Sequence, residues 1–181
     1  FEYVSVVRRD ELNDLTDEQI KFVASHFTWM EILGGASQAK PTIDRLKSLN
    51  SNFKALKYTH PIFDYSYKPT DEACYLHNPV STYTNHRLKD VGASGWGLDD
   101  CTECMKTFFL NEVKRDMAYG FDGIMTDEMS IMGNRFLPKN SLPYSEDEWH
   151  QCKKTFLDYI HKNLNGKLVV FNGLYNHQSL G

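Results

Sequence analysis

The sequence predicts an α/β fold on a mainly parallel sheet, and three observations carry that reading. Stretches with apolar residues at helical spacing alternate with short extended runs along the chain. The last run, Lys167-Leu168-Val169-Val170-Phe171-Asn172-Gly173-Leu174, is nearly continuous in apolar residues, the pattern of a parallel strand buried on both faces. Finally, Tyr119-Gly120-Phe121-Asp122-Gly123-Ile124-Met125-Thr126-Asp127-Glu128 reads as a helix exit, a short buried strand and two adjacent carboxylates. Gly120 stands where a residue past a helix end turns left-handed. Acid at the carboxyl end of a parallel strand points to chemistry, although Asp127 capping the next turn or pairing with a nearby base is the plainer alternative.

The elements follow in order. Thr16 with Gln19 forms a capping box that starts a short helix. Phe22-Val23-Ala24-Ser25-His26-Phe27 is read as a strand, ending before the Gly34-Gly35 break. Pro41 opens a helix with Ile43, Leu46 and Leu49 on one face. Phe53 to His60 alternates as a strand and stops at Pro61. Ala73–Asn78 and Gly95–Asp99 are weaker extended segments. Met105, Phe108, Phe109, Val113 and Met117 make a helical stripe before the strand that opens at Gly123. Ser145 with Glu148 is a second capping box, followed by Trp149, Cys152, Phe156 and Ile160 at helical spacing and an Asn165-Gly166 stop. Val4–Arg9 is assigned no element.

The 181 residues suffice for a real core, and with 41% hydrophobic and 24% charged residues they read as one globular domain. Twenty basic against 24 acidic residues, a net charge of −4, leave no electrostatic footprint for nucleic acid. No apolar run is long enough to span a bilayer, and the N-terminus shows no signal-peptide pattern. The chain starts at Phe1 rather than Met, which reads as a processed or excised piece whose export signal would have preceded Phe1. The oligomeric state is open. Secretion is the favoured compartment.

Cys74, Cys101, Cys104 and Cys152 allow three full disulfide pairings. Disulfides or inert thiols are favoured over a metal site, because Cys101-Thr102-Glu103-Cys104 lacks a second pair. A redox role is disfavoured because the motif follows a late loop rather than the first strand.

The segment Gly120-Phe121-Asp122-Gly123-Ile124-Met125-Thr126-Asp127, preceded by a helix and by Leu98-Asp99, resembles the TIM-barrel glycoside hydrolases related to the α-galactosidase and polygalactosaminidase groups. Leu49 to Tyr58 looks like that group's helix-to-strand connection, and Val170-Phe171-Asn172-Gly173 like its strand ending in Asn. The similarity spans roughly residues 20 to 175, with the Gly-Phe-Asp-Gly to Asp motif its specific part. It implies a (β/α)₈ fold and action on a polysaccharide or oligosaccharide, within carbohydrate metabolism, with no cofactor. A full barrel takes about 250 residues, so the expectation is an incomplete barrel of about five βα units, with further strands beyond Gly181.

The resemblance makes Asp127 a catalytic carboxylate, as nucleophile or as stabiliser of an oxocarbenium-like transition state. Asp122 precedes the strand and is expected to fix the turn. Glycoside hydrolysis needs a second carboxyl group. Glu128 is adjacent, although neighbours on an extended chain point to opposite sides, and it departs from the family's commonest pattern. Asp64 and Asp99 are further candidates. His26, Tyr58, His60 and Asn172, placed by this reading at strand ends, are candidates to bind sugar hydroxyls. Trp29 and Trp96 are candidates to stack on pyranose faces. Two alternatives stay open: a catalytically inactive carbohydrate-binding barrel, and a metal-dependent hydrolase using His26, His60 and Asp127.

Overall fold

The computed structural model describes residues 15–79, 81–89, 95–127 and 142–172, together with the backbone of 3–7. Five strands form one sheet in chain order: β1 (Tyr3–Val7), β2 (Trp29–Ile32), β3 (Lys54–Thr59), β4 (Gly123–Thr126) and β5 (Leu168–Phe171). The helices are α1 (Asp17–His26), α2 (Ala36–Leu49), α3 (Glu103–Met117) and α4 (Glu146–Asn163). β1 pairs parallel with β2, and β2 with β3, in the register Met30–Ala55 and Glu31–Leu56. The bonds from Leu168 N to Asp122 O and from Asn172 N to Thr126 O keep one offset, so β4 and β5 also run the same way. This is a βα alternation of the kind the sequence predicts.

The described chain forms two compact units. In the first, Phe1–Thr59, Val113–Met125 and Gly166–Val170, α1 and α2 bury Ile20, Ala24, Ala39, Ile43 and Leu46 against Met30, Ile32, Ala55 and Phe121. Each such large side chain removed from water contributes about 1.5–3 kcal/mol. The second unit, His60–Glu112, Thr126–Asn165 and Phe171–Gly181, holds a core of Ile62, Phe63, Leu76, Leu88 and Trp149. Two disulfides cross-link it, Cys74–Cys104 and Cys101–Cys152. Neither joins the two cysteines of the C-x-x-C pair, so every cysteine is structural and the redox reading falls. A buried Asp100–Lys153 ion pair lies directly beside the second disulfide in sequence, with the ammonium 4.5 Å from the Trp149 ring centre.

Both capping boxes form: the Thr16 hydroxyl accepts from Gln19 N and that of Ser145 from Glu148 N. The stretch read as a strand over 22–27 is instead the end of α1. The Thr16 box commits it to helix, and Ile20 and Ala24, four apart, bury while Phe22 stays exposed. The strand begins later, at Trp29. α2 starts at Ala36, before Pro41, which lies inside it. Val4–Arg9, unassigned from sequence, supplies most of β1. The apolar run after Lys167 is only half-buried, with Leu168 and Phe171 well exposed, since β5 is last in the strand order. Gly173 and Leu174 lie outside the described residues.

The Gly-Phe-Asp-Gly motif is where β4 is fastened. Gly120 takes φ +97°, ending the turn after α3. Phe121 buries fully, and the Asp122 carboxylate accepts from Ala55 N at 2.9 Å while its own N–H donates to Ala55 O at 2.8 Å. Lys47 of α2 pairs with the same carboxylate at 2.7 Å and donates to Gly120 O at 2.6 Å. Asp122 therefore fixes the turn as the sequence suggested. At Gly123 a Cβ would stand 2.1 Å from Leu168 O, so β4 and β5 meet only because no side chain is present. Gly123→Ala is expected to cost about 1–3 kcal/mol by forcing backbone apart. The check is a lowered urea midpoint with an unchanged slope; an unmoved midpoint would remove the constraint.

Candidate active site at the strand ends

Asp127 follows β4 directly and is half-buried. Asn172 follows β5 directly, donates its N–H to Thr126 O at 2.8 Å, and donates its side-chain amide to Asp127 Oδ1 at 3.1 Å. Two candidates from different parts of the sequence are thus in contact, held by the parallel pairing of β4 and β5. An amide donor on one carboxylate oxygen orients the group and leaves the other oxygen's direction fixed. Glu128 lies outside the described residues.

His60 follows β3 and is buried. Its N–H bonds to Ser66 Oγ at 3.0 Å, and its ring lies 5.6 Å from Phe63 and 5.1 Å from Tyr65 between centroids. Tyr58 is half-buried on β3 itself. His26 and Trp29 are not at strand carboxyl ends. His26 closes α1, exposed, stacked on Phe22 at 4.3 Å and with Nδ1 2.9 Å from Phe22 O, while Trp29 opens β2 at its amino end. Both placements follow from α1 occupying the segment read as a strand. They also take apart the proposed metal set of His26, His60 and Asp127. Among the described residues, no three His, Cys, Asp or Glu side chains gather into a metal-binding group.

The two other candidate carboxylates are engaged in structure. Asp64 receives Trp96 N on Oδ1 at 2.8 Å and returns its own N–H to Trp96 O at 3.1 Å. Asp99 accepts from Cys101 N at 3.0 Å and from the Tyr144 hydroxyl at 2.7 Å. Burial pushes Asp99 above the usual carboxylate range, and burial with the Asp99 bond raises Tyr144. Sequence reading passed over two buried charged residues, Glu31 on β2 and Lys57 on β3, whose amine is pushed down by burial against the opposing pull of Asp116. For Glu31 the available signal was a charge between Met30 and Ile32 in an otherwise apolar strand.

Trp96 lies in a cluster of antiparallel bridges, Phe63 with Gly97, Tyr75 with Leu98, His77 with Arg87 and Lys89 with Trp96. The weaker extended segments of the sequence meet here. Beneath it, Arg87 pairs with Glu72 and lies 3.6 Å from the Tyr75 ring centre. The Arg87 guanidinium holds the Glu72 carboxyl down to about 2.

No protein-family model matches the sequence, and no curated protein sequence matches it. Solved structures do match. A hypothetical protein from Ruminiclostridium thermocellum ATCC 27405 aligns with a TM-score of 0.64 at 13% identity, over 95% of this chain and 97% of that one. The α-galactosidase TtGalA from Thermus thermophilus aligns at 0.64 and 11% identity, over 94% of this chain. The glycoside hydrolase domain of PelA from Pseudomonas aeruginosa aligns at 0.60 and 13%, also over 94%. The fold is of the TIM-barrel type, which this chain shares with these glycoside hydrolase structures. This chain spans only 37% of the galactosidase chain and 59% of the PelA chain. No helix among the described residues is long and apolar enough to cross a membrane.

The Glu72–Arg87 pair predicts an acid limb. Its carboxyl is depressed when folded, so the stabilisation is complete above the unfolded value of 4.5 and is lost as pH falls from there toward 2. Glu72→Gln is expected to flatten the fall in melting temperature over that window. An identical acid limb in both proteins would contradict the brace.

Proposed function

We propose that this chain is part of a glycoside hydrolase acting on a polysaccharide or oligosaccharide, with Asp127 as nucleophile or electrostatic stabiliser of an oxocarbenium-like transition state. The observation that carries this is the Asn172–Asp127 contact at the ends of adjacent parallel strands in a glycoside-hydrolase-like fold. Strand ends of such a sheet are where reacting groups collect, and a carboxylate oriented by an amide is suited to charge stabilisation. Hydrolysis requires a second carboxyl group within roughly 5–9.5 Å. Glu128 is proposed for that role, since Asp64 and Asp99 already serve the architecture. His60 and Tyr58 are proposed to contact sugar hydroxyls, and Trp96 to stack. Two disulfides support an oxidising, secreted setting, because such bonds persist there.

The engagement of Asp64 and Asp99 favours one second reading, a carbohydrate-binding barrel without catalysis. Hydrolysis of a panel of polysaccharides and aryl glycosides separates the two. Asp127→Asn is expected to lower kcat by at least about a hundredfold with the circular dichroism spectrum unchanged. Asn172→Ala should lower it about tenfold, the loss of one hydrogen bond to a charged group. A folded parent protein that cleaves nothing on the panel leaves the binding reading in place.

A further inference from the structure

A cluster in the second unit gathers two aromatic rings and an ammonium. Lys89 and Trp96 are directly paired across an antiparallel bridge, which puts their side chains on one face. The Tyr83 ring meets the Trp96 ring edge-on, with centroids 5.7 Å apart. The Lys89 ammonium lies 5.4 Å from the Tyr83 centre and 5.9 Å from the Trp96 centre. At that range the cation–π attraction is near its outer limit, and no carboxylate among the described residues forms an ion pair with Lys89.

The surroundings hold this cluster rigid. Asp64 clamps the backbone of Trp96 from both sides. Tyr83 is carried by a turn in which Asn85 and His86 both adopt left-handed backbone, at φ 54° and 57°. A non-glycine residue in that conformation persists where its neighbours over-determine it. Here they do: His77 Nδ1 lies 2.7 Å from Asn85 O, His86 Nδ1 lies 3.0 Å from Ser81 O, and Asn78 N donates to His86 O at 2.9 Å. The outcome is a half-exposed Tyr83 ring held in place by its own turn. Tyr65, also exposed, packs its ring on Gly95, beside Trp96 in sequence, and meets His60 edge-on.

We propose that Tyr83, Lys89 and Trp96 form a subsite for an acidic pyranose, so that the substrate class is a uronic-acid-bearing polysaccharide. The inference deepens the glycosidase reading and rests on it. Aromatic faces receive the C–H faces of a pyranose. A uronate carries its carboxylate at the ring edge, and the Lys89 ammonium over the Tyr83 and Trp96 rings offers that carboxylate a charge-assisted hydrogen bond. A neutral sugar gains only the stacking, and an amino sugar meets a like charge.

Binding is measured by affinity electrophoresis and calorimetry on the Asp127→Asn protein, which does not consume its ligand. The probes are polygalacturonate, a neutral galactan and a cationic amino-sugar polymer. Polygalacturonate is expected to bind best, with an affinity that falls as salt rises. Lys89→Gln should weaken it about tenfold and bring it level with the neutral galactan, while Lys89→Arg retains most of it. Tyr83→Ala should weaken both polymers. Polygalacturonate binding no better than galactan, or binding indifferent to Lys89→Gln in a folded protein, overturns the subsite. Hydrolysis of the same polymers by the parent protein is read separately. Lys89-dependent binding without cleavage of any polymer sinks the hydrolase reading, whereas cleavage with binding indifferent to Lys89 sinks the subsite.

Discussion

The Asp122 carboxylate ties three elements to one point: the Ala55 N–H of β3, the Lys47 ammonium of α2 and the first residue before β4. A side chain that bonds a neighbouring strand's backbone fixes register in a way that an apolar contact cannot, because a slip by one residue would break it. Lys47 also satisfies the Gly120 carbonyl left over at the turn after α3. Gly123 then lets β5 approach, and the next strand is held by Leu168 N and Asn172 N. The side-chain contact between Asn172 and Asp127 is a consequence of that pairing. A motif that reads as a catalytic signature is thus mostly a fastening device, and it ends in the carboxylate proposed for the chemistry.

The second unit is held differently. It has few regular strands, and its loops meet through isolated bridges. Two disulfides spanning 30 and 51 residues restrict its unfolded chain, a stabilisation typically worth 2–4 kcal/mol per bond. The Asp100–Lys153 pair next to one of them is buried, so each charge is indispensable to the other; removing one partner of such a pair typically costs about 3–5 kcal/mol. Burial raises Asp100, and Lys153 opposes that shift. This framework carries groups that loops alone would not hold still: Asp64 on Trp96, Glu72 on Arg87, and the left-handed turn under Tyr83. Loops positioned by a rigid scaffold are the usual carriers of recognition.

Much of this was legible locally. The two capping boxes, the α3 stripe at Met105, Phe109 and Val113, and the strand from Lys54 to Thr59 depend on neighbours within a turn or on simple alternation, so they appear in the sequence. The same holds for Asp127 at a strand's end and Asn172 at another. The stretch 22–27 fits helix and strand alike by its residues, and the Thr16 capping box together with the packing of Ile20 and Ala24 makes it helix, which takes His26 and Trp29 off the strand ends. β1 was overlooked because so short a run gains its stability from pairing with β2.

From the residue pattern alone follow the alternation of helices and strands from α2 onward, the parallel character of the sheet and the acid at the end of β4, since these rest on periodicity and turn chemistry. Only the tertiary structure decided which cysteines pair, that Asp64 and Asp99 are spent on backbone and hydroxyl donors, and that Lys89, Tyr83 and Trp96 share one face. Those facts are contacts between residues far apart in the chain, and a contact of that kind depends on register and loop closure, which no local pattern of residues encodes.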